Sequence, residues 1–288
     1  MPLQQVRKKV KTKGVTKIAL SLKKHELKGS YFEAYNNLRN DLHILRELNS
    51  QLPKSIEKMV SKKKKQIRKR MQNLDEKSKE ELDEFIESLG KYVKVAKKTK
   101  KGLTLKGKPA ELVSEFVFDA FLFPNRFNMF IRDMSLVYLV AEFESFLSQI
   151  LQISFQIKPE ILMTCQKSIT LEELLKFKDI NDLRQQIIEK EILSIINQDI
   201  EEINRYFTEK FHIEISQFVD WKGFTERFYR RNILIHNSGL PNRIYRLKTG
   251  YKGKDERLTV PENYLAESIK LFEEMAMKIY ESFHDKFG

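Results

Sequence analysis

Apolar residues recur along this chain at intervals of three, four and seven, the spacing that gathers them on one face of an α-helix. From Tyr31, the positions Tyr35, Leu38, Leu42, Leu45 and Leu52 form such a stripe, and Pro53 is expected to end it. A second stripe, Ile56, Val60, Ile67, Met71 and Leu74, predicts another helix, whose other faces carry the run KKKKQIRKR, Lys62 to Arg70. The acidic stretch DEKSKEELDEFIESLGKYV predicts a third helix that can lie against the second as a coiled-coil-like arm. Residues 1–29 are basic and read as loose chain or a short strand. Residues 97–110, KKTKKGLTLKGKPA, offer almost nothing to bury and mark the expected boundary between a basic helical region, 1–110, and a helical bundle, 111–288.

In the second half, ELVSEFVFDAFLF is interrupted by Pro124, and a long helix from about 126 to 156 carries the stripe Val140, Phe143, Leu147, Ile150 and Ile153. A short helix near 171–177, a longer one over 181–209 and another from about Ser216 follow. The segment after that helix reads as a Gly/Lys turn, a brief extended RLTV, and a closing amphipathic helix that starts at Pro261. Four or five helices around one core make a bundle, so the expected class is all-α.

Charge adds a partner to this picture. The formal net charge is +13, but residues 1–110 hold 30 Lys and Arg against 12 Asp and Glu, while the remainder hold 23 against 28. The basic third fits a polyanion, nucleic acid foremost, although Lys-rich helices also serve solubility alone. Lys62, Lys63, Lys64, Lys65, Arg68, Lys69 and Arg70 are the candidate RNA-phosphate contacts, salt-dependent and blind to sequence. A single cysteine, Cys165, allows no internal disulfide and points to a reducing, cytoplasmic setting. The N-terminus lacks the apolar core of a secretory signal, and Glu142 and Glu144 interrupt the most apolar run, so no membrane span is expected.

Chemistry concentrates in RRNILIHN, residues 230–237. Trp221, Phe224, Phe228 and Ile235 are spaced to face a core together, and Asn232 and His236 insert polar groups into that stripe. Arg231 and His236 are five apart, roughly 140° around one helix, so they do not pair as neighbours. Two copies meeting across a two-fold axis would bring both arginines and both histidines to one cleft. A histidine titrating near neutrality moves protons and a guanidinium holds phosphate, a pairing suited to attack by an RNA 2′-hydroxyl on its own phosphate with no metal or cofactor. Asn232 would orient the imidazole or the phosphate. The same residues also read as a helix end, with His236 against the last carbonyls, Asn237 and Gly239 as C-caps and Pro241 beyond.

RRNILIHNSGLPNRIY resembles the signature helix end of the HEPN superfamily: arginine, a polar residue, three mostly apolar residues, then histidine. Arg231, Asn232, Ile233 to Ile235 and His236 hold those places. LVYLVAEFESFLSQIL and LTVPENYLAESIKLFEEMA are similar to the upstream and final helices of such domains, so the resemblance covers about 111–288. It implies an all-α homodimer and a metal-independent endoribonuclease, a toxin or anti-phage effector, with Arg231 and His236 of both protomers in one site. It also implies a supporting role for Glu144 beside Arg231, and an antitoxin or defence-system partner. Some members of the superfamily are non-catalytic binding modules, which is the alternative reading. RNDLH, Arg39 to His43, has one residue too few between arginine and histidine, and His25, His212 and His284 lack metal-ligand spacing.

Overall fold

The computed structural model describes residues 30–84, 107–164, 170 and 177–287. Cys165, the short helix expected near 171–177, residues 1–29 and most of the expected boundary segment lie outside them. Every regular element among the described residues is helical, and the fold class is all-α. The main helices are α1 (Tyr31–Gln72), α2 (Gly107–Val117), α3 (Phe123–Ile157), α4 (Ile180–Ile196), α5 (Ile200–Phe211), α6 (Trp221–His236), α7 (Arg243–Thr249) and α8 (Glu262–Phe287). A π-helical turn, Phe118–Leu122, joins α2 to α3, and residues 76–84 are also helical.

Four expectations need correction. Pro53 does not end a helix: α1 runs through it for 42 residues. Proline removes one backbone hydrogen bond, and burial of Leu52 and Ile56 on either side offsets that loss. Pro124 likewise sits inside α3, just past the π turn, where Phe123 donates its N–H to the Phe118 carbonyl and the ladder is already shifted. The single helix expected over 181–209 is two, α4 and α5, separated at 197–199. Residues 107–110, placed in the boundary segment, already belong to α2.

Contacts gather the chain into two compact units, each made of separate stretches. The first comprises residues up to Asp41, Glu142–Trp221 and Glu273 onward. Its centre is a cluster of fully buried rings: Phe211 lies 5.1 Å from Phe283, 5.7 Å from Phe207 and 6.1 Å from Phe155 between centroids. Each such side chain contributes about 2–3 kcal/mol through burial. Two polar groups enter this interior with partners: the Tyr31 hydroxyl is 2.9 Å from Ser154 Oγ, which donates to the Ile150 carbonyl. Asp179 caps α4 by accepting from the N–H groups of Asn181 and Asp182. Lys286 Nζ, 2.6 Å from the Phe211 carbonyl, satisfies the end of α5.

The second unit comprises Leu42–Ala141 and Lys222–Phe272. It buries Leu42, Leu45, Leu136, Leu139 and Val140 together with Phe224, Phe228, Leu265, Ile269 and Phe272. Phe272 stacks on Phe228 at 5.7 Å and meets Phe224 at a tilt, 4.7 Å between centroids. A smaller cluster joins Tyr229, Ile233 and Tyr245, with Tyr251 and Leu258 packed against it. Helix α3 is long and apolar enough in composition to cross a membrane, and half of its most apolar window is buried in protein.

Candidate functional site

Helix α6 carries the motif, and it outruns its own core. Phe224, Thr225, Phe228, Tyr229 and Ile233 are buried, but Asn232, Ile235 and His236 are exposed, Ile235 by 48%. This corrects the expectation that Ile235 faces the core with Phe224 and Phe228. The azimuth was right: at about 100° per residue, Ile235 lies within roughly 20° of both phenylalanines, and Asn232 and His236 follow Phe228 at steps of about 40°. Phe272 covers the stripe at Phe224 and Phe228, and Tyr245, Tyr251 and Leu258 cover the last turn on its Ile233 side. Asn232, Ile235 and His236 therefore occupy a core-facing azimuth that stays exposed among the described residues. Arg231, half-buried with its Nε enclosed, completes an arc of about 140° that reads Arg231, Ile235, Asn232, His236.

The turn after His236 is held from several sides. Ser238 and Gly239 both adopt positive φ, +51° and +78°, reversing the chain directly behind the histidine. The N–H groups of Asn237 and Gly239 donate to the Ile233 carbonyl, so the last-turn carbonyl is satisfied by backbone, and Asn237 Nδ2 donates to Leu240. The expected C-cap is thus present, and His236 is left outside it. The strap 257–260 then crosses the motif. Arg257 donates to the Ser238 carbonyl at 2.9 Å and to Asp133 at 2.5 Å, and the Leu258 N–H donates to Gly239. Arg230 in turn donates to the Thr259 carbonyl at 2.9 Å. Burial raises the Asp133 carboxyl above the usual carboxylate range, against the opposing pull of Arg257.

Arg230, first residue of the motif's arginine pair, turns away from the open face into a polar network the sequence did not disclose. Glu226 accepts from Arg230 Nε at 2.8 Å, the Tyr245 hydroxyl at 2.6 Å and the Tyr264 hydroxyl at 2.5 Å. The guanidinium of Arg230 also lies over the Tyr264 ring, 4.4 Å from its centroid, with Arg227 at 4.6 Å. Burial, then the Glu226 charge, push the ionisation of both tyrosines well above the ordinary range. Burial opposes the Arg230 charge, but Tyr264, Glu226 and Tyr245 outweigh it and hold the group protonated. Spacing gave a partial clue, since Glu226 and Arg230 are an i,i+4 pair, but Tyr245 and Tyr264 arrive from α7 and α8.

Glu144 belongs to the first unit, half-buried on α3, and its carbonyl accepts from Ser148 Oγ. Of the basic run on α1, Lys62, Lys63, Lys65, Arg68, Lys69 and Arg70 are exposed and Lys64 is half-buried. Lys64, Lys65, Arg68 and Lys69 line an open groove with Glu57 and Gln72. Lys63 pairs with Asp119 at 3.2 Å and Arg70 with Glu115 at 2.5 Å, so part of that charge is matched within the unit. Among the described residues, no group of three or more His, Cys, Asp or Glu side chains is gathered to hold a metal ion.

The segment expected as a Gly/Lys turn opens with helix α7. Asn242 caps it by accepting from the Tyr245 N–H, and Gly250 at φ +72° stops it. That Asn-to-Gly bracketing was the available signal, obscured by the length of only seven residues. No protein-family model, curated protein or solved structure matches the chain.

Proposed function

We propose that this chain is a HEPN-type, metal-independent endoribonuclease, a toxin or anti-phage effector, whose site is completed by a second copy of itself. The observation that carries this reading is the uncovered last turn of α6. Asn232, Ile235 and His236 keep the azimuth of a core stripe yet are exposed, and Leu240, Ile244 and Leu247, which follow within a dozen residues, are exposed as well. Exposed apolar side chains on the same stretch of chain as an exposed histidine are what an isologous contact would use. Such a contact brings Arg231 and His236 of both copies to one cleft.

In that cleft His236 takes the proton of an RNA 2′-hydroxyl. The 2′-oxygen attacks its own phosphorus, the bond from phosphorus to O5′ breaks, and His236 of the second copy protonates the departing O5′. The products are a 2′,3′-cyclic phosphate and a 5′-hydroxyl. Arg231 holds the phosphate and its added negative charge, and Asn232 orients the imidazole. The half-buried Arg231 and the tightly fastened turn behind His236 suit such positioning.

The test is expression of wild type and His236→Ala, with total RNA analysed for cleavage and for cyclic-phosphate ends. The reading expects wild-type cleavage and a loss of at least 100-fold in the variant, the lower end of what a general acid-base contributes. Equal RNA survival at equal protein levels rejects it. The exposed basic groove of α1 supports a second reading, a non-catalytic RNA-binding module. That reading expects salt-dependent binding lost on neutralising Lys62 to Lys65, with no cleaved product.

A further inference from the structure

We infer that α7 and the loop after it form the RNA-holding rim of this site, with Arg243, Lys248 and Lys252 gripping the phosphates of a single strand. The inference rests on the nuclease reading for the identity of the polyanion, but its own basis is charge and geometry. Residues 243–257 hold six basic side chains against two acidic ones, while the rest of 111–288 holds 17 against 26. A positive patch thus stands in an acidic half of the sequence, immediately after the motif.

The fold packs that patch against α6, the helix that ends at His236. Lys248 Nζ lies 5.7 Å from the centre of the Tyr229 ring, and Tyr229 packs in one cluster with Ile233, the buried neighbour of Asn232. On the other side Arg257 holds the Ser238 carbonyl, two residues beyond His236. Lys248 thus lies against α6 before the motif, and Arg257, paired with Asp133, lies behind the turn that follows it. Arg246 shapes the patch rather than joining it: its guanidinium donates to the Gly253 carbonyl at 2.9 Å and to Asp255 at 2.5 Å, folding the loop back along α7. Arg243, Lys248, Lys252 and Lys254 are all exposed in that arrangement, and Lys254 faces Glu256 at 3.7 Å.

The exposed side chains between them, Ile244 and Leu247, are aliphatic, so the rim offers charge without a stacking platform. Recognition should then be through phosphate and indifferent to sequence. A single strand fits the chemistry, because in-line attack by a 2′-hydroxyl requires a linkage free to leave helical stacking.

The experiment uses the full chain carrying His236→Ala, so that binding is read without cleavage, and a fluorescein-labelled single-stranded oligouridylate. Anisotropy titrations across a salt series compare this parent with Arg243→Gln/Lys248→Gln/Lys252→Gln added. Three lost phosphate contacts should lower the slope of log affinity against log salt by about 2, roughly 0.7 per contact. Parent and variant should converge near 1 M salt and differ about 100-fold at 0.1 M. The three single substitutions, each expected to remove about 0.7 from the slope, keep the test open should the triple variant melt early. An unchanged slope overturns the inference. So does a parent with no salt-dependent RNA binding, the result expected if the patch receives an acidic protein. If wild type fails to cleave RNA while the triple variant loses its slope, the nuclease reading falls and the rim stands.

Discussion

Replacing Glu226 with alanine should be among the most damaging single changes to the second unit, although the sequence marks that residue only by its i,i+4 spacing to Arg230. Its carboxylate accepts three hydrogen bonds, from Arg230, Tyr245 and Tyr264, at 2.5–2.8 Å, and its side chain is only 17% exposed. Hydrogen bonds to a charged group contribute about 1.5–3 kcal/mol each, so the gross loss is roughly 4.5–9 kcal/mol. Part is recovered, because Arg230 keeps the Thr259 carbonyl and the face of Tyr264. A half-buried guanidinium deprived of its carboxylate leaves a net cost of about 3–5 kcal/mol. Glu226→Gln tests the division of that cost. Its amide oxygen can still accept and its amide nitrogen can donate to the Tyr264 oxygen, leaving mainly the charge imbalance, about 1.5–3 kcal/mol. Guanidinium unfolding followed by the fluorescence of Trp221, the one tryptophan, at the start of α6, measures both variants. The expected order of stability is wild type, then Gln, then Ala. An alanine variant within about 1 kcal/mol of wild type would mean that water replaces the carboxylate, and the network would then be ornament rather than a determinant of how α6 is held.

Two further outcomes follow from the same region. Gly239→Ala should cost about 2 kcal/mol, a fall of roughly 4–8 °C in Tm, because φ is +78° and the added Cβ meets Arg257 Cγ and the Leu258 carbonyl oxygen, both at 3.1 Å. Gly250→Ala, at φ +72° with nothing nearby, should cost only the backbone share of about 1 kcal/mol, and equal melting temperatures for the two variants would contradict the close approach of the strap. The third outcome is alkaline. The Tyr264 hydroxyl ionises above the ordinary tyrosine range in the folded chain, so the stability it contributes is complete below about pH 10, where the unfolded chain begins to ionise, and is lost as pH rises toward the folded value. Unfolding midpoints between pH 9 and 12 should fall more steeply for wild type than for Tyr264→Phe, by up to about 1.4 kcal/mol per pH unit; parallel curves would refute the linkage.

Local spacing was enough for the fold class and for most of the buried stripe. Val140, Phe143, Leu147 and Ile150 are fully buried where the period placed them, and Pro261 stands just before α8. It misjudged Pro53 and Pro124, because whether proline stops a helix depends on what the neighbouring turns bury. It also merged α4 with α5 and passed over α7, whose seven residues are too few to display a period.

The motif shows the division most clearly. Sequence alone determined that Arg231, Asn232, Ile235 and His236 share one broad arc of a helix, since azimuth follows from residue number and helical pitch. Only the tertiary structure decided that Asn232, Ile235 and His236 are exposed on that arc, that Arg230 is engaged by Glu226, Tyr245 and Tyr264, and that a strap from 257 to 260 fastens the turn behind His236. Direction along a helix is a local quantity. Where the covering surface ends is set by residues more than 30 positions away, such as Phe272 against Phe228, and no window of sequence contains that edge.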